Sequence, residues 1–167
     1  MSAEFYTQFN GIAIIIAFFM LCLMIVLPFA GRLLLSIFFI ATACYTWNTV
    51  QGHPDLYNNY KQFAFFDWYR DGIVQPFIDH LPFSAKMFAI LQLLTAIGLL
   101  LKNQVFKIAC ALALLILVAI APLGIASFFP ATLLPALGCF ILLRKKTDHY
   151  AWQLPVKTQP KPAGEPR

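Results

Sequence analysis

Charged residues are scarce in this 167-residue chain. Asp, Glu, Lys and Arg make up 11% of the sequence, whereas 60% of the residues are hydrophobic. A soluble domain of this size normally carries a charge on about a quarter of its residues, because charged side chains keep its surface in water. The shortage excludes a soluble globular domain, and the hydrophobicity excludes a disordered chain. We therefore predict an all-α integral membrane protein.

The sequence also lacks the short motifs that mark many enzymes and metal sites. It contains no nucleophile elbow, phosphate-binding loop or dinucleotide fingerprint. Its four cysteines form no C-x-x-C pair, and His53 and His80 stand far apart with no third ligand indicated, so neither a redox pair nor a metal site is predicted. The basic residues do not cluster on a solvated aromatic face, which argues against nucleic acid as a partner. We expect a chain that is not catalytic on its own.

Long uncharged apolar runs are abundant. A bilayer core about 30 Å thick requires roughly 20 apolar helical residues. Between Gly11 and Val50 the only charge is Arg32. Pro28 and Gly31 predict a tight turn that splits this stretch into two spans and leaves the charge at the lipid headgroups. The five predicted spans are residues 11–29, 33–50, 84–101, 104–122 and 125–143.

Basic residues are distributed unevenly between the two sets of loops. Lys and Arg are retained on the cytoplasmic side of membrane proteins. With the N-terminus outside, nine of the twelve basic residues fall on the inner side. We therefore predict five spans with the N-terminus outside and the C-terminus in the cytoplasm. The first span lacks the basic residues and small residues of a cleaved signal peptide, so we expect it to remain as a helix.

The connection between the second and third spans, residues 51–83, is long and rich in aromatic residues. Pro54 is typical of a helix start and Gly72 of a helix end, so we predict one helix over 54–71 and a shorter one over 73–80. Such a density of Tyr, Phe and Trp indicates a segment that lies in the membrane interface. This segment is either an anchor or a cover over a pocket between the helices.

Arg70 lies on this otherwise acidic outer segment. It either pairs with the neighbouring Asp67 or Asp71, or binds a lipid phosphate or an anionic ligand. The local pair is the interpretation that we favour.

Polar residues within the predicted spans are few. Apart from Lys86 and Lys107, which lie near the ends of their spans, none of them is Asp, Glu, Lys, Arg or His, and this disfavours ion-coupled transport. Gln92, near the middle of the third span, either forms an interhelical hydrogen bond or faces a ligand. The four cysteines are expected to act as small hydrophobic residues. The residues that we expect around an outer pocket are Trp47, Asn48, Tyr69, Arg70 and Gln92, with Thr46, Asp55, Tyr57 and Asp67 as secondary candidates.

Several of these features resemble the DoxX-like membrane proteins. The second span ends in Trp47-Asn48-Thr49, the outer segment contains Trp68-Tyr69-Arg70, and Gln92 stands at a position that is often Glu or Gln in that family. The resemblance covers residues 32–143. It divides the chain into an N-terminal transmembrane helix (1–30), a DoxX-like four-helix membrane bundle (31–146) with the outer segment 51–83, and a disordered cytoplasmic tail (147–167).

The resemblance implies a small helical protein of a bacterial inner membrane. Some members of the family are membrane subunits associated with quinone- or thiol-linked oxidoreductases. We therefore expect a non-catalytic subunit or partner of such an enzyme, surrounded by the lipid bilayer, with a pocket for a hydrophobic molecule such as a quinone. Relatives with Glu at this position have a side chain that can take up and release a proton, whereas Gln92 cannot, and this weakens the redox assignment. The alternative is an interaction, assembly or stress-response factor without redox activity, and the third possibility is small-solute permeation.

Overall fold

The computed structural model describes residues 3–57, 64, 66–123 and 131–144, with side chains from Gly11 onward. Every regular element in these ranges is helical, which confirms the predicted all-α class. The predicted disordered tail lies outside the described residues. The elements are α1 (Ala3–Val26), α2 (Pro28–Gly52), α3 (Asp67–Tyr69), a π-helix (Arg70–Val74), α4 (Gln75–Asp79), α5 (Leu81–Leu100), α6 (Asn103–Ile120) and α7 (Leu133–Arg144).

Within the described ranges, three helices are long and apolar enough to cross a bilayer. They are Pro28–Gly52, Leu81–Leu100 and Asn103–Leu123, and they correspond to the second, third and fourth predicted spans. The apolar part of α1, Gly11–Val26, and the whole of α7 are shorter. α7 begins later than the predicted fifth span, because residues 131 and 132 form a turn before it.

Helices α1, α2, α5, α6 and α7 pack beside their neighbours in chain order. α1 contacts α2, α2 contacts α5, α5 contacts α6, and α6 contacts α7, which in turn contacts α1. The most extensive of these contacts joins α2 to α5. The helices therefore form a closed ring of contacts around a core that includes Met24, Phe39, Leu99, Phe106 and Leu142.

The contact between α2 and α5 is antiparallel and built from small residues. The hydroxyl of Ser36 donates a 2.9 Å hydrogen bond to the carbonyl of Ala96 at one end of the pair. At the other end Val50 packs against Leu81 and Ala85. Small side chains let two helix backbones approach closely, and hydroxyl groups add hydrogen bonds that lipid cannot supply. These contacts place the C-terminal half of α2 beside the N-terminal half of α5.

The junction of α1 and α2 differs from the predicted turn. The helix breaks at Leu27, and α2 restarts at once with Pro28 at its first position, where a missing amide hydrogen has no cost. Gly31 lies in the first turn of α2 and contacts α1. A Cβ atom at Gly31 would lie 2.6 Å from the Cα of Met24, and one at Gly138 would lie 2.0 Å from the Met24 sulfur. Met24 is therefore enclosed by α2 and α7.

Arg32, which we predicted at the lipid headgroups, is buried among the neighbouring helices. It is only 3% exposed. Its Nε and Nη2 donate to the carbonyl of Leu99 at 3.1 and 3.0 Å, and Nη2 also donates to the carbonyl of Leu101. The last carbonyls of a helix have no partner within it and form the negative end of its dipole, so a cation is stabilised there. The guanidinium of Arg32 therefore binds the C-terminus of α5 within the protein.

The predicted helix over residues 54–71 is wrong. Residues 54–57 form a short 3₁₀ turn, Phe66 is extended, and helix resumes only at Asp67; residues 58–63 lie outside the described part. Gly72 does not end a helix but lies within the π-helix Arg70–Val74, which runs on into α4. Pro76 explains the wide turn, since it has no amide hydrogen and its ring crowds the carbonyl four residues earlier.

Candidate functional site

A shallow cleft of about 160 Å³ lies between α2 and α5. Ala43 and Ala89 are buried and form its floor, because their small side chains belong to the close contact between the helices. Trp47 and Leu93 are larger and partly exposed, so they form its walls. The complete lining is Ala43, Cys44, Trp47, Asn48, Ala89 and Leu93.

The cleft has a polar end and an apolar end. Trp47 and Asn48 lie in the last two turns of α2, and the antiparallel packing brings Lys86, from the second turn of α5, to the same end. The ammonium of Lys86 lies 5.8 Å from the centroid of the Trp47 ring, within the range of a cation–π contact. Cys44 and Leu93 lie toward the middle of their helices, where the lining is apolar. The site therefore suits an amphipathic molecule.

Gln92 lies in the contact between α2 and α5 rather than in the cleft lining. Its side chain is 4% exposed, and its Oε1 has no hydrogen-bond partner among the described residues. The register of Ser36 with Ala96 and of Val50 with Leu81 places it at the level of Phe39. A buried acceptor without a donor costs about 1–3 kcal/mol, so this position favours a water or ligand that donates to it.

Thr46 and Tyr57 attach the start of the outer segment to α2. The Tyr57 hydroxyl donates to the carbonyl of Thr46 at 3.4 Å, and the Tyr57 ring contacts Phe77 of α4 with centroids 6.2 Å apart. Asp55 is exposed in the 3₁₀ turn before them. These three secondary candidates lie at or near the C-terminal end of α2 and do not line the cleft.

Tyr69 attaches the later part of the outer segment to a different helix. It is 6% exposed, and its hydroxyl donates to the carbonyl of Ala119 in the last turn of α6. Burial raises the pKa of the Tyr69 phenol, because the charged phenolate would lose hydration. Tyr69 therefore holds α3 against the end of α6 and contributes nothing to the cleft lining.

Arg70 forms the local pairs that we favoured from the sequence. Its guanidinium lies 2.8 Å from a carboxylate oxygen of Asp67 and 2.8 Å from one of Asp71. Hydrogen bonding to Arg70 lowers the pKa of Asp71. Exposed pairs of this kind contribute little to stability. Of the five predicted pocket residues, the structure thus brings Trp47 and Asn48 into one cleft and places the other three elsewhere.

Lys86 and the small residues of the cleft were missed by the sequence reasoning. Lys86, Ala89 and Leu93 follow the spacing i, i+3 and i+7, which puts them on one face of α5. This pattern could have indicated a lysine above an apolar groove. In the topology prediction Lys86 is one of the three basic residues on the outer side, and its partner on α2 depends on the register of the helices.

The described cysteines are free, and the titratable residues do not gather. Cys110 and Cys139 are buried, Cys22 is half-buried and Cys44 is exposed in the cleft. Within the ranges that the structure describes, no group of three or more His, Cys, Asp and Glu side chains could hold a metal ion. Comparisons with known proteins add no relative: no family model, curated protein or solved structure matches this chain.

Proposed function

We propose that this chain is an integral membrane protein with five spans, its N-terminus outside and its C-terminus in the cytoplasm of a bacterial cell. Three long apolar helices support membrane insertion. Arg32, at the start of α2, contacts the last carbonyls of α5, so the basic residues of these two connections lie at one end of the helices. That arrangement agrees with retention of Lys and Arg on one side of the membrane. In the proposed orientation the cleft lies in the outer half of the bilayer.

The protein acts in this proposal as a non-catalytic subunit that holds a hydrophobic molecule with a polar head. The observation that carries the proposal is the cleft, which is apolar toward the middle of the helices and has Trp47 and Asn48 at its outer end. Ligand sites are typically apolar with a few polar groups that fix orientation. The Trp47 ring offers a stacking surface and the Asn48 amide offers a donor and an acceptor.

The resemblance to DoxX-like proteins indicates which partner to look for first. It rests on the tryptophan, asparagine and arginine motifs quoted above, and it suggests a quinone- or thiol-linked oxidoreductase. A quinone has a planar ring that stacks on an aromatic side chain and carbonyl oxygens that accept from an amide. These properties fit Trp47 and Asn48.

Copurification tests this function. The tagged protein is extracted from its native membrane in a mild detergent, and mass spectrometry identifies the proteins and the lipophilic molecules that accompany it. Cys44→Phe fills the exposed side of the cleft, and Ile108→Phe, at a residue that is 66% exposed on α6, is the matched control. We expect one lipophilic molecule and an oxidoreductase subunit with the wild type and the control. The proposal fails if all three proteins yield the same molecules in the same amounts.

One observation favours the alternative of an interaction or assembly factor. Phe66 and Trp68 are 53% and 67% exposed, and their rings stack with centroids 6.2 Å apart on the outer segment. Exposed aromatic pairs occur at membrane interfaces and at protein interfaces. A Trp68→Ala variant that keeps the cleft ligand but loses a copurifying protein would favour this alternative.

A further inference from the structure

The charge of Lys86 is not neutralised within the described part of the protein. Its side chain is exposed beside Trp47, and it forms no ion pair with any described carboxylate. Asp67 and Asp71 are paired with Arg70, and Asp79 accepts a hydrogen bond from Gln75 at 2.7 Å. Among the described residues, the positive charge at the polar end of the cleft therefore has no carboxylate partner.

The cleft continues from this charge toward the middle of the helices. Lys86, Ala89 and Leu93 lie on one face of α5, while Asn48 and Cys44 lie one turn apart on α2. A ligand in the cleft would therefore meet an ammonium, an amide and an indole first, and small apolar side chains beyond them. A phospholipid has the same order of groups, with a phosphate at the headgroup followed by acyl chains.

We propose that the α2–α5 cleft binds an anionic phospholipid, with its phosphate on Lys86 and Asn48 and part of one acyl chain along Cys44 and Leu93. This inference rests on the proposed function, because it names the class of molecule that the cleft holds. Trp47 lies near the C-terminus of α2, and tryptophan is common at the membrane interface, where the glycerol groups of lipids lie. Lysine binds phosphate as a mobile point charge, and its long stem reaches the headgroups from within the apolar layer.

Charge and size favour this ligand over a neutral quinone. A basic residue near a membrane surface attracts an anionic lipid by about 1 kcal/mol, which corresponds to a preference of about fivefold. A neutral ring gains much less from the same ammonium. The volume of about 160 Å³ also lies below the roughly 300–1,000 Å³ of pockets that enclose a drug-sized molecule. A site of this size holds part of a molecule whose remainder lies in the bilayer.

Quenching of Trp47 by brominated lipids tests the inference. Trp68→Phe and Trp152→Phe leave Trp47 as the single tryptophan of the full chain, which is reconstituted into phosphatidylcholine vesicles. Phosphatidylglycerol or phosphatidylcholine with brominated acyl chains is then added at matched mole fractions. We expect brominated phosphatidylglycerol to associate about fivefold more strongly. Lys86→Gln should remove this preference. Lys107→Gln, which changes an exposed lysine near the N-terminus of α6, should keep it.

Further variants separate this inference from the proposed function. Equal quenching by brominated phosphatidylglycerol and brominated phosphatidylcholine would overturn the assignment of an anionic phospholipid. A preference for phosphatidylglycerol that survives Lys86→Gln would overturn it as well. If Cys44→Phe then still abolished quenching by either lipid or by a short-chain ubiquinone analogue, the cleft would remain a site for a hydrophobic molecule. If Cys44→Phe left the quenching unchanged, both the phospholipid assignment and the proposed function of the cleft would be overturned. Circular dichroism and the elution volume of each variant show whether it is folded.

Discussion

The guanidinium of Arg32 lies 4.0 Å from the centroid of the Phe106 ring. It thereby connects three helices, because the same group donates to the Leu99 carbonyl at the end of α5. A desolvated cation over an aromatic face contributes about 2 kcal/mol, and hydrogen bonds from a charged donor contribute about 1.5–3 kcal/mol. The buried arginine is therefore a main link between α2, α5 and α6.

Replacement of Arg32 should lower stability in a graded way. Arg32→Gln loses the charge and the stacking on Phe106, and we expect the free energy of unfolding to fall by about 3 kcal/mol. Arg32→Lys keeps the charge but not the planar fork, so it should lose about half as much. Unfolding in mixed micelles of increasing SDS content measures both, with Lys107→Gln as the exposed control. Equal stability of the wild type and Arg32→Gln would contradict the packing described here.

Two glycines beside Met24 should differ in their tolerance of alanine. The new methyl group of Gly31→Ala would meet the Met24 backbone at 2.6 Å, so the helices themselves must separate. That of Gly138→Ala would meet the Met24 sulfur, which can move with its side chain. We expect a loss of about 2 kcal/mol for Gly31→Ala and about 1 kcal/mol for Gly138→Ala. Gly52→Ala, which has nothing within 4 Å of its new Cβ, should change little.

The Tyr69 hydroxyl should stabilise the outer segment in a pH-dependent manner. Burial raises its folded-state pKa above the usual value of about 10, so its contribution is complete below pH 10 and is lost as the pH rises through the folded-state pKa. Tyr69→Phe removes the bond to Ala119 and should cost about 1 kcal/mol at pH 8. The difference between wild type and variant should then shrink above pH 10. Thermal unfolding curves that run parallel from pH 8 to 11 would be evidence against this role.

Gln92 should be dispensable for stability. Its buried Oε1 has no donor in the described part of the protein, and Gln92→Leu removes that unmet acceptor. We expect the free energy of unfolding to rise by about 1 kcal/mol in the SDS assay. Thr95→Val, which loses only a bond to the Leu91 carbonyl within its own helix, is the control and should be nearly neutral. A loss of stability in Gln92→Leu would show that a donor reaches Oε1 in the membrane.

Helix positions followed from the sequence because they depend on local properties. The apolar runs around α2, α5 and α6 are long enough to cross a bilayer, and charged and proline residues lie near their ends. The ion pairs of Arg70 were equally predictable, since Asp67 and Asp71 are three residues and one residue away from it. These interactions require no knowledge of how distant segments meet.

The site depends on which faces of the helices pack together, and the hydropathy of the sequence does not show this. Arg32 was assigned to the headgroups because a charge between two apolar runs has the same position in the sequence whether it faces lipid or a neighbouring helix. Lys86 and Trp47 come together only through the antiparallel register of α2 and α5. The π-helix Arg70–Val74 was not predicted, because a glycine such as Gly72 ordinarily indicates the end of a helix.

The location of the cleft tests the account most directly. In a Cys22→Ala background a nitroxide label attaches to Cys44, which is exposed, whereas Cys110 and Cys139 are buried. Electron paramagnetic resonance of the reconstituted protein then compares collisions of the label with oxygen, which concentrates in lipid, and with a water-soluble nickel complex. We predict high oxygen accessibility and low nickel accessibility, as in the outer half of a bilayer. The opposite result would place the cleft in water and contradict its role as a site for a membrane-borne molecule.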